Sequence, residues 1–352
     1  VKKNFNLNII LLSPSTFPLP PAQYGGIERV VSGLSCELAA RGHEITVVAP
    51  EGSRLPAVSC VAWPENNTNR LRDLFRKAGF LRQVVLDRQP DLVHNFSRTA
   101  YLIGLFSLKF PIPLIESYGV LPTAAARLPV LALGSRLTLT GCSEWIARRG
   151  REIVGGRWRA IYNFVDVNLY KPTYSVKADA PLVFLSRVDK IKGTDWAIQI
   201  AKKTGRRLII AGNLAASGSN AEFWHRQIQP KLIPGQIEYV GPVDDRQKNE
   251  LLGRAAALLV PVQWDEPFGL VFTEALACGT PVISCPRGSL VEIVRPGLDG
   301  FLGSTVDELC AAVSRLETID RRACRRRAEK NFSLSKIADD YEALYCNLIE
   351  GE

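Results

Sequence analysis

The sequence predicts an α/β protein of two doubly wound, Rossmann-like domains, each built on a parallel sheet. Three observations predict it. Short apolar runs rich in β-branched residues alternate with helical stretches along almost all 352 residues. The rhythm restarts once, after residues 166–181, which hold Pro and polar residues without periodicity and read as a linker. The length is long for one hydrophobic core and comfortable for two.

Taken in order, strands are expected at 7–13, 44–50, 59–63, 92–96, 113–119, 136–142 and 159–165, then at 181–187, 207–212, 237–243, 256–262 and 280–285. Most are unbroken apolar runs rather than alternating ones, as strands covered on both faces require. Helical spacing fills most gaps, as in 26-GIERVVSGLSCELAARG-42 and 305-TVDELCAAVSRLE-317. A last helix from about Leu334 is expected to pack back on the first domain. The domains are therefore placed at 1–168 and 169–333, with 334–352 as the returning helix. Ligands are expected in a central cleft faced by the carboxyl ends of both sheets.

Apolar residues make up 46% and charged residues 22%, an ordinary globular balance. No run approaches the roughly 18–20 apolar residues of a membrane span. Lys2 and Lys3 before 7-LNIILLS-13 look like the start of a signal peptide, but the apolar stretch is short and no small-residue cleavage site follows. A first buried strand is the expectation. Eight scattered cysteines without CxxC or metal-ligand spacing read as small core residues in a reducing, cytoplasmic setting. The net charge of +9 is uneven: residues 1–168 hold 20 Lys/Arg against 12 Asp/Glu, a net +8. A basic first half suits an anionic surface or acceptor.

The segment richest in chemistry is 266-EPFGLVFTE-274, into which the apolar run 256-AALLVPV-262 leads directly. Pro267 suits a first helical turn, Phe268 to Cys278 has helical spacing, and Gly279 ends it. Glu266 then stands at the helix mouth and Glu274 two turns in, with the free amides of Gly269 and Leu270 between them. That is an anion site flanked by two acceptors, the shape of a sugar nucleotide. An isolated pair of glutamates at this spacing would more often be exposed helix charges. The flanking Pro-Phe-Gly and 275-ALACGTPVIS-284 raise the functional reading above that.

Three further stretches point the same way. In 21-PAQYGGIERVV-31, Gly25 and Gly26 open a helix where backbone amides can approach a phosphate, though a plain turn is as good a reading. In 183-VFLSRVDKIKG-193, Arg187 ends a strand and Lys192 follows just before a helix, two cations suited to a diphosphate. In 284-SCPRGSLVEIV-294, the amides of Ser289 and Leu290 could serve the same phosphate, or simply make a tight turn. His94 is the one histidine near a strand's carboxyl end; a buried structural role competes with ligand contact. No DxD, metal-spaced cluster, GxGxxG or GxSxG occurs, so neither a metal nor another dedicated cofactor is expected.

Together these residues resemble the family 4 retaining glycosyltransferases of the GT-B fold. The resemblance runs through Gly25–Gly26, Ser143 in 140-TGCSEW-145, 161-YNFVD-165 with Asp166, 187-RVDKIKG-193, 211-AGN-213, 239-YVGPV-243 and the glutamate segment. It implies a retaining, metal-independent transfer of sugar from a nucleotide-sugar donor to a glycan, lipid-linked or small-molecule acceptor. By the same resemblance Arg187 and Lys192 grip the diphosphate, Glu266 faces the transferred sugar and Glu274 binds the ribose. The base lies near Gly241 to Val243. Phe268, Gly269, Leu270 and Ser289 line the donor site, and Gly26 touches the phosphate from the other domain. Two departures stand out: Tyr118 takes the place where many relatives carry a histidine, and Asn163-Phe164-Val165-Asp166 replaces Asn-Gly-Val-Asp. An epimerase or phosphorylase on the same fold, or a non-catalytic binder of nucleotide sugars, remains the alternative.

The stretch 70-RLRDLFRKAGFLRQVVLDR-88 interleaves Arg and Lys with Leu, Phe and Val. It suits attachment at the inner face of an anionic membrane, against the competing reading of a helix with one core and one solvated face. The basic run 321-RRACRRRAEK-330 reads as a solvated helical face, and no nucleic-acid partner is expected.

Overall fold

A computed structural model describes residues 6–22, 25–66, 68–108 and 112–351. The chain forms two compact units, Val1–Asn163 with Ile337–Glu352, and Phe164–Lys336.

The first unit holds seven strands, β1 (Asn8–Leu12), β2 (Glu44–Ala49), β3 (Ser59–Ala62), β4 (Leu92–Asn95), β5 (Leu114–Tyr118), β6 (Leu137–Gly141) and β7 (Arg157–Ala160). They pair in the order β3-β2-β1-β4-β5-β6-β7, all parallel. Its helices are α1 (Gly26–Ala40), α2 (Arg70–Arg88), α3 (Arg127–Leu133) and α4 (Glu144–Val154). The second unit holds β8 (Leu182–Leu185), β9 (Leu208–Ala211), β10 (Ile237–Tyr239), β11 (Ala257–Leu259), β12 (Val282–Ser284) and β13 (Gly300–Leu302). These pair in the order β10-β9-β8-β11-β12-β13, again parallel. Helices α5 (Thr194–Thr204), α6 (Ser219–Phe223), α7 (Asp245–Arg254), α8 (Leu270–Ala277), α9 (Leu290–Ile293), α10 (Val306–Val313) and α11 (Arg321–Phe332) accompany them. Helix α12 (Leu334–Glu350) follows, and from Ile337 onward it belongs to the first unit.

Both sheets reverse strand order once, between β1 and β4 and between β8 and β11. The crevice outside the carboxyl ends of such strands is where doubly wound folds bind ligands.

Three expectations need correction. The strand expected at 159–165 is β7 at Arg157–Ala160; Val165 is buried for another reason, since its amide donates to Phe332 O at 2.7 Å. Strand β13 was not expected, because three residues carry too little pattern. Helix α8 starts at Leu270 with Gly269 as its cap, so Pro267 precedes the helix rather than opening it.

The stretch 166–181 has no regular element longer than a turn, and it is tied down by α11. Arg325 Nη1 donates to Tyr170 O (2.6 Å) and Ala277 O (2.8 Å), and its Nη2 to Val167 O (2.9 Å). Arg321, 8% exposed, donates to Thr173 O (2.6 Å), Ala255 O (2.8 Å), Gly253 O (3.1 Å) and Thr280 Oγ1 (2.8 Å). The basic run 321–330 is therefore not simply a solvated face. Three of its arginines donate to backbone carbonyls, Arg321 and Arg325 as above and Arg327 to Glu292 O at 2.7 Å, while Arg322 and Arg326 stay exposed. Arg321→Ala strands those carbonyls away from water, and we expect it to destabilise the second unit by about 3–5 kcal/mol, read as a lowered urea midpoint at unchanged m-value.

Candidate active site

Strand β8 ends at Leu185 and the chain turns through Arg187 and Asp189 into a 3-10 turn, Lys190–Lys192. Asp189 is 3% exposed and serves two groups at once. Its Oδ1 accepts the Lys192 amide at 3.0 Å, and its Oδ2 lies 3.3 Å from Arg187 Nη2. Gly193 follows at φ +77, where a Cβ would stand 2.0 Å from Pro261 O, so only glycine lets this turn lie on the segment after β11. The Gln263 amide, donating to Ile191 O at 2.7 Å, fixes the same approach.

The close packing brings Lys192 to Glu266, with Nζ 2.5 Å from Oε2. The indole Nε1 of Trp264 donates to the same Oε2 at 2.9 Å, and Lys192 Nζ sits 4.7 Å from the centre of the Trp264 ring. The two charged side chains are 12% and 8% exposed, so their attraction is screened less than a surface pair's. Glu266 is braced from behind, its carbonyl accepting the Ser289 amide at 2.8 Å.

Helix α8 begins four residues after Glu266. The amides of Leu270 and Val271 have no backbone acceptor among the described residues, as the first turn of a helix leaves them. Glu274 lies one turn on; its Oε1 accepts from Lys248 Nζ at 2.8 Å, which also meets Asp245 Oδ1 at 2.9 Å. Lys248 Nζ stands 5.3 Å from the Tyr170 ring centre, and the Tyr170 hydroxyl donates to Asp245 Oδ1 at 3.3 Å. Burial, then the Glu274 and Asp245 carboxylates, push the Tyr170 phenol far up, so it stays neutral and acts as a donor. On the other side of Arg187, Gly241 O accepts the Gly212 amide at 2.9 Å, and Val243 is half-buried in the following loop.

Arg187, Lys192, Glu266, Gly269 and Leu270 are thus gathered where the strand order reverses between β8 and β11, with Glu274 a turn beyond. Two residues expected to touch ligand do not present themselves. Phe268 is 2% exposed, its ring edge-on to Phe332 at 5.9 Å, and serves as a packing anchor. Ser289 is fully buried; its hydroxyl donates to Phe268 O and its amide to Glu266 O, while the Leu290 amide turns to Arg287 O, so this turn braces Glu266 and offers no donor. Asp189, Trp264, Lys248 and Tyr170 were missed. Asp189 carried a signal, an acidic residue three before the amide it caps. The other three join the site only through folding.

In the first unit, Gly25 caps α1, its carbonyl accepting the Arg29 amide at 3.0 Å, and Gly26 opens the helix. The same first turn carries Glu28, 6% exposed, so a carboxylate already occupies the positive end of this helix. Tyr118 ends β5 in a recess lined by Ile27, Phe96, Ser117, Cys142 and Asn163. Its hydroxyl meets Thr99 Oγ1 at 2.5 Å and its ring lies 5.3 Å from Trp158. Burial, and secondarily the nearby Glu116, hold the Tyr118 phenol well above its ordinary value, so it can contribute a hydrogen bond but no charge.

His94 does not reach a ligand. It is fully buried, Nδ1 2.7 Å from the Tyr345 hydroxyl and Nε2 2.6 Å from Ser117 Oγ. Burial lowers its pKa to about 3, so the ring is neutral; Nδ1 joins α12 to the sheet and Nε2 ties β4 to β5. Among the described residues, no three His, Cys, Asp or Glu side chains gather as a metal would need.

Two parallel-sheet units of this topology define the GT-B class. The sucrose-phosphate synthase of Thermosynechococcus elongatus matches 99% of this chain and 100% of its own at TM-score 0.79 and 20% identity. The Anabaena protein HepE, in complex with UDP-glucose, matches 97% of this chain and 100% of its own at TM-score 0.73 and 19% identity. Residues 24–169 match the model described as Glycosyltransferase Family 4 and residues 172–331 the one described as Glycosyl transferases group 1; the chain belongs to this family. A D-inositol 3-phosphate glycosyltransferase of Mycobacterium marinum is 31% identical over 165 residues, 43% of this chain. That match takes in 35% of the relative's own length, so the chain spans about a third of the curated relatives it matches.

Proposed function

We propose that the protein is a retaining, metal-independent glycosyltransferase that takes a sugar from a nucleoside-diphosphate donor. The observation that carries this is the Lys192–Glu266–Trp264 cluster, joined to Arg187 through Asp189, at the switch point and ahead of the α8 amides. Membership of the family and the UDP-glucose held by a structural neighbour support it.

In this reading the diphosphate lies against Lys192, Arg187 and the amides of Leu270 and Val271. The bond from the anomeric carbon to the diphosphate breaks, and the acceptor oxygen bonds to that carbon on the same face. Charge grows on the leaving diphosphate, which takes the acceptor's proton. Cations and amides fixed before the reaction stabilise that charge without reorganising, which is where such sites gain most. Lys192 is held by Glu266 on one side and the Trp264 ring on the other, so its ammonium is aimed before the donor arrives. Glu266 turns its second oxygen to the sugar, and Glu274, oriented by Lys248, accepts from the ribose hydroxyls. Glycans, lipid-linked sugars and small molecules are the acceptor classes.

Calorimetric titration with UDP, ADP, GDP and UDP-glucose tests the donor site. We expect heat of binding with at least one of them, surviving a chelator and lost in Arg187→Ala with Lys192→Ala. Silence with every nucleotide overturns the reading. Proton NMR of the product reports retention directly, because the anomeric coupling of product and donor must match.

A further inference from the structure

Helix α2 has a core face made by Asp73, Lys77, Ala78, Leu81, Val84 and Val85. Lys77 is fully buried, meeting Asp73 Oδ2 at 3.3 Å and Ser15 Oγ at 3.2 Å. A helix with only a core side and a solvated side would carry polar residues elsewhere. Instead Leu71 and Phe75, one turn apart, are 66% and 71% exposed.

They are not isolated. The 3-10 segment Thr99–Leu105 packs against both α2 and α3. Its Gly104 lies so close to α2 that a Cβ would stand 2.1 Å from Ala78 O, a contact only glycine permits. On this segment and just past it, Ile103 and Phe106 are 41% and 61% exposed; on α3, Leu128 and Leu131 are 76% and 65% exposed. Six large apolar side chains on α2, α3 and the segment that packs against both exceed what scattered surface apolar residues explain.

The charges around them have one sign. Arg70, Arg72, Arg76, Arg82, Arg98 and Arg127 are exposed. Residues 68–86 and 97–136 contain only two acids, Asp73 and Glu116, and both are buried, at 5% and 1% exposure; the exposed acid of α2, Asp87, lies in its last turn, at the far end of the helix from Leu71 and Phe75. A protein partner would be expected to meet some matching carboxylate or hydrogen-bond register. Apolar side chains interleaved with arginines, of which Arg76 alone among those named has a carboxylate of the described residues in reach (Asp73 Oδ1, 3.9 Å), instead suit an interface whose inner layer is hydrocarbon and whose outer layer is phosphate.

We propose that α2, the segment 99–106 and α3 form a docking face for an anionic lipid bilayer. Leu71, Phe75, Leu128 and Leu131 enter the acyl boundary and the arginines meet the headgroup phosphates. Docking here needs neither donor nor acceptor, so it stands apart from the proposed sugar transfer. Vesicle co-sedimentation of the whole chain tests it, with mixed phosphatidylglycerol–phosphatidylcholine vesicles against pure phosphatidylcholine. We expect binding to the anionic vesicles only, weakening steeply with salt. Arg70→Ala with Arg72→Ala and Arg76→Ala should weaken it by about 100-fold, taking about five-fold per cation. Leu71→Ser with Phe75→Ser should weaken it by at least about ten-fold. These side chains are exposed, so thermal unfolding of both variants should match the parent protein, separating lost docking from lost folding. Equal binding to both vesicle types, no binding to either, or parental binding by both variants overturns the proposal. So does a lipid-free dimer, broken by the Leu71/Phe75 variant, in place of vesicle binding.

Discussion

Lys192→Ala should lower kcat/KM by about 30- to 1000-fold, roughly 2–4 kcal/mol of transition-state stabilisation, the scale of removing one fixed donor from a developing oxyanion. The loss should fall mainly on kcat, because in the proposed transfer the ammonium meets charge that appears as the diphosphate leaves. Arg187→Ala should cost less. Its side chain is 53% exposed against 12% for Lys192, so solvent screens it more. Trp264→Phe separates charge from aim: it keeps Lys192 and an aromatic face but removes the indole donor to Glu266, and should give an intermediate loss. Parental kcat in both Lys192→Ala and Arg187→Ala would remove the assignment.

Stability should bend with pH in a way set by two buried groups of opposite sign. His94 titrates near pH 3 when folded and near 6.5 when unfolded, because burial opposes its charged form. Its contribution is complete above pH 6.5 and is lost as pH falls, at about 1.4 kcal/mol per unit, reaching about 5 kcal/mol by pH 3. Glu116 works the other way. Burial raises its pKa well above 4.5, against the smaller pull of hydrogen bonds from Asn95 and Thr99. Its contribution is complete below pH 4.5 and is lost as pH rises. Between about pH 4.5 and 6.5 the two slopes oppose each other, and below 4.5 only the His94 slope remains. Urea midpoints of the parent protein should therefore change little across that window and fall beneath it. In His94→Gln they should rise as pH drops toward 4.5, the slope of Glu116 laid bare. A variant that kept the parent's pH dependence would show that His94 does not carry it.

Most strands were legible because each is a continuous apolar run, and continuity is what burial on both faces demands. The strand 300-GFL-302 was not, since three residues ahead of Gly303 give no run to read. The glutamates at 266 and 274 were legible by spacing. Their partners were not: Lys248 reaches Glu274 from a different helix, and Trp264 earns its role only once Lys192 is folded over it. Arg321 looked like surface because a run of arginines on a helix usually is, and the carbonyls that claim it come from two separate stretches of chain, at Thr173 and at Gly253 and Ala255. Ser289 and Phe268 sat in the right neighbourhood with the wrong orientation, which spacing alone does not report.

The return of α12 sets an order of events during synthesis. The first unit is closed by Tyr345 on His94 and by Arg41 bonded to Asp339, partners separated by 251 and 298 positions. A ribosome releasing the first 163 residues has made seven strands but not the helix that covers them. At roughly 5–20 residues per second, the intervening unit occupies about 10–35 s of translation before that helix emerges. Throughout that interval His94 lacks its Tyr345 partner and Arg41 its Asp339 partner, so the first unit can make these contacts only after the residues of the second have been synthesised.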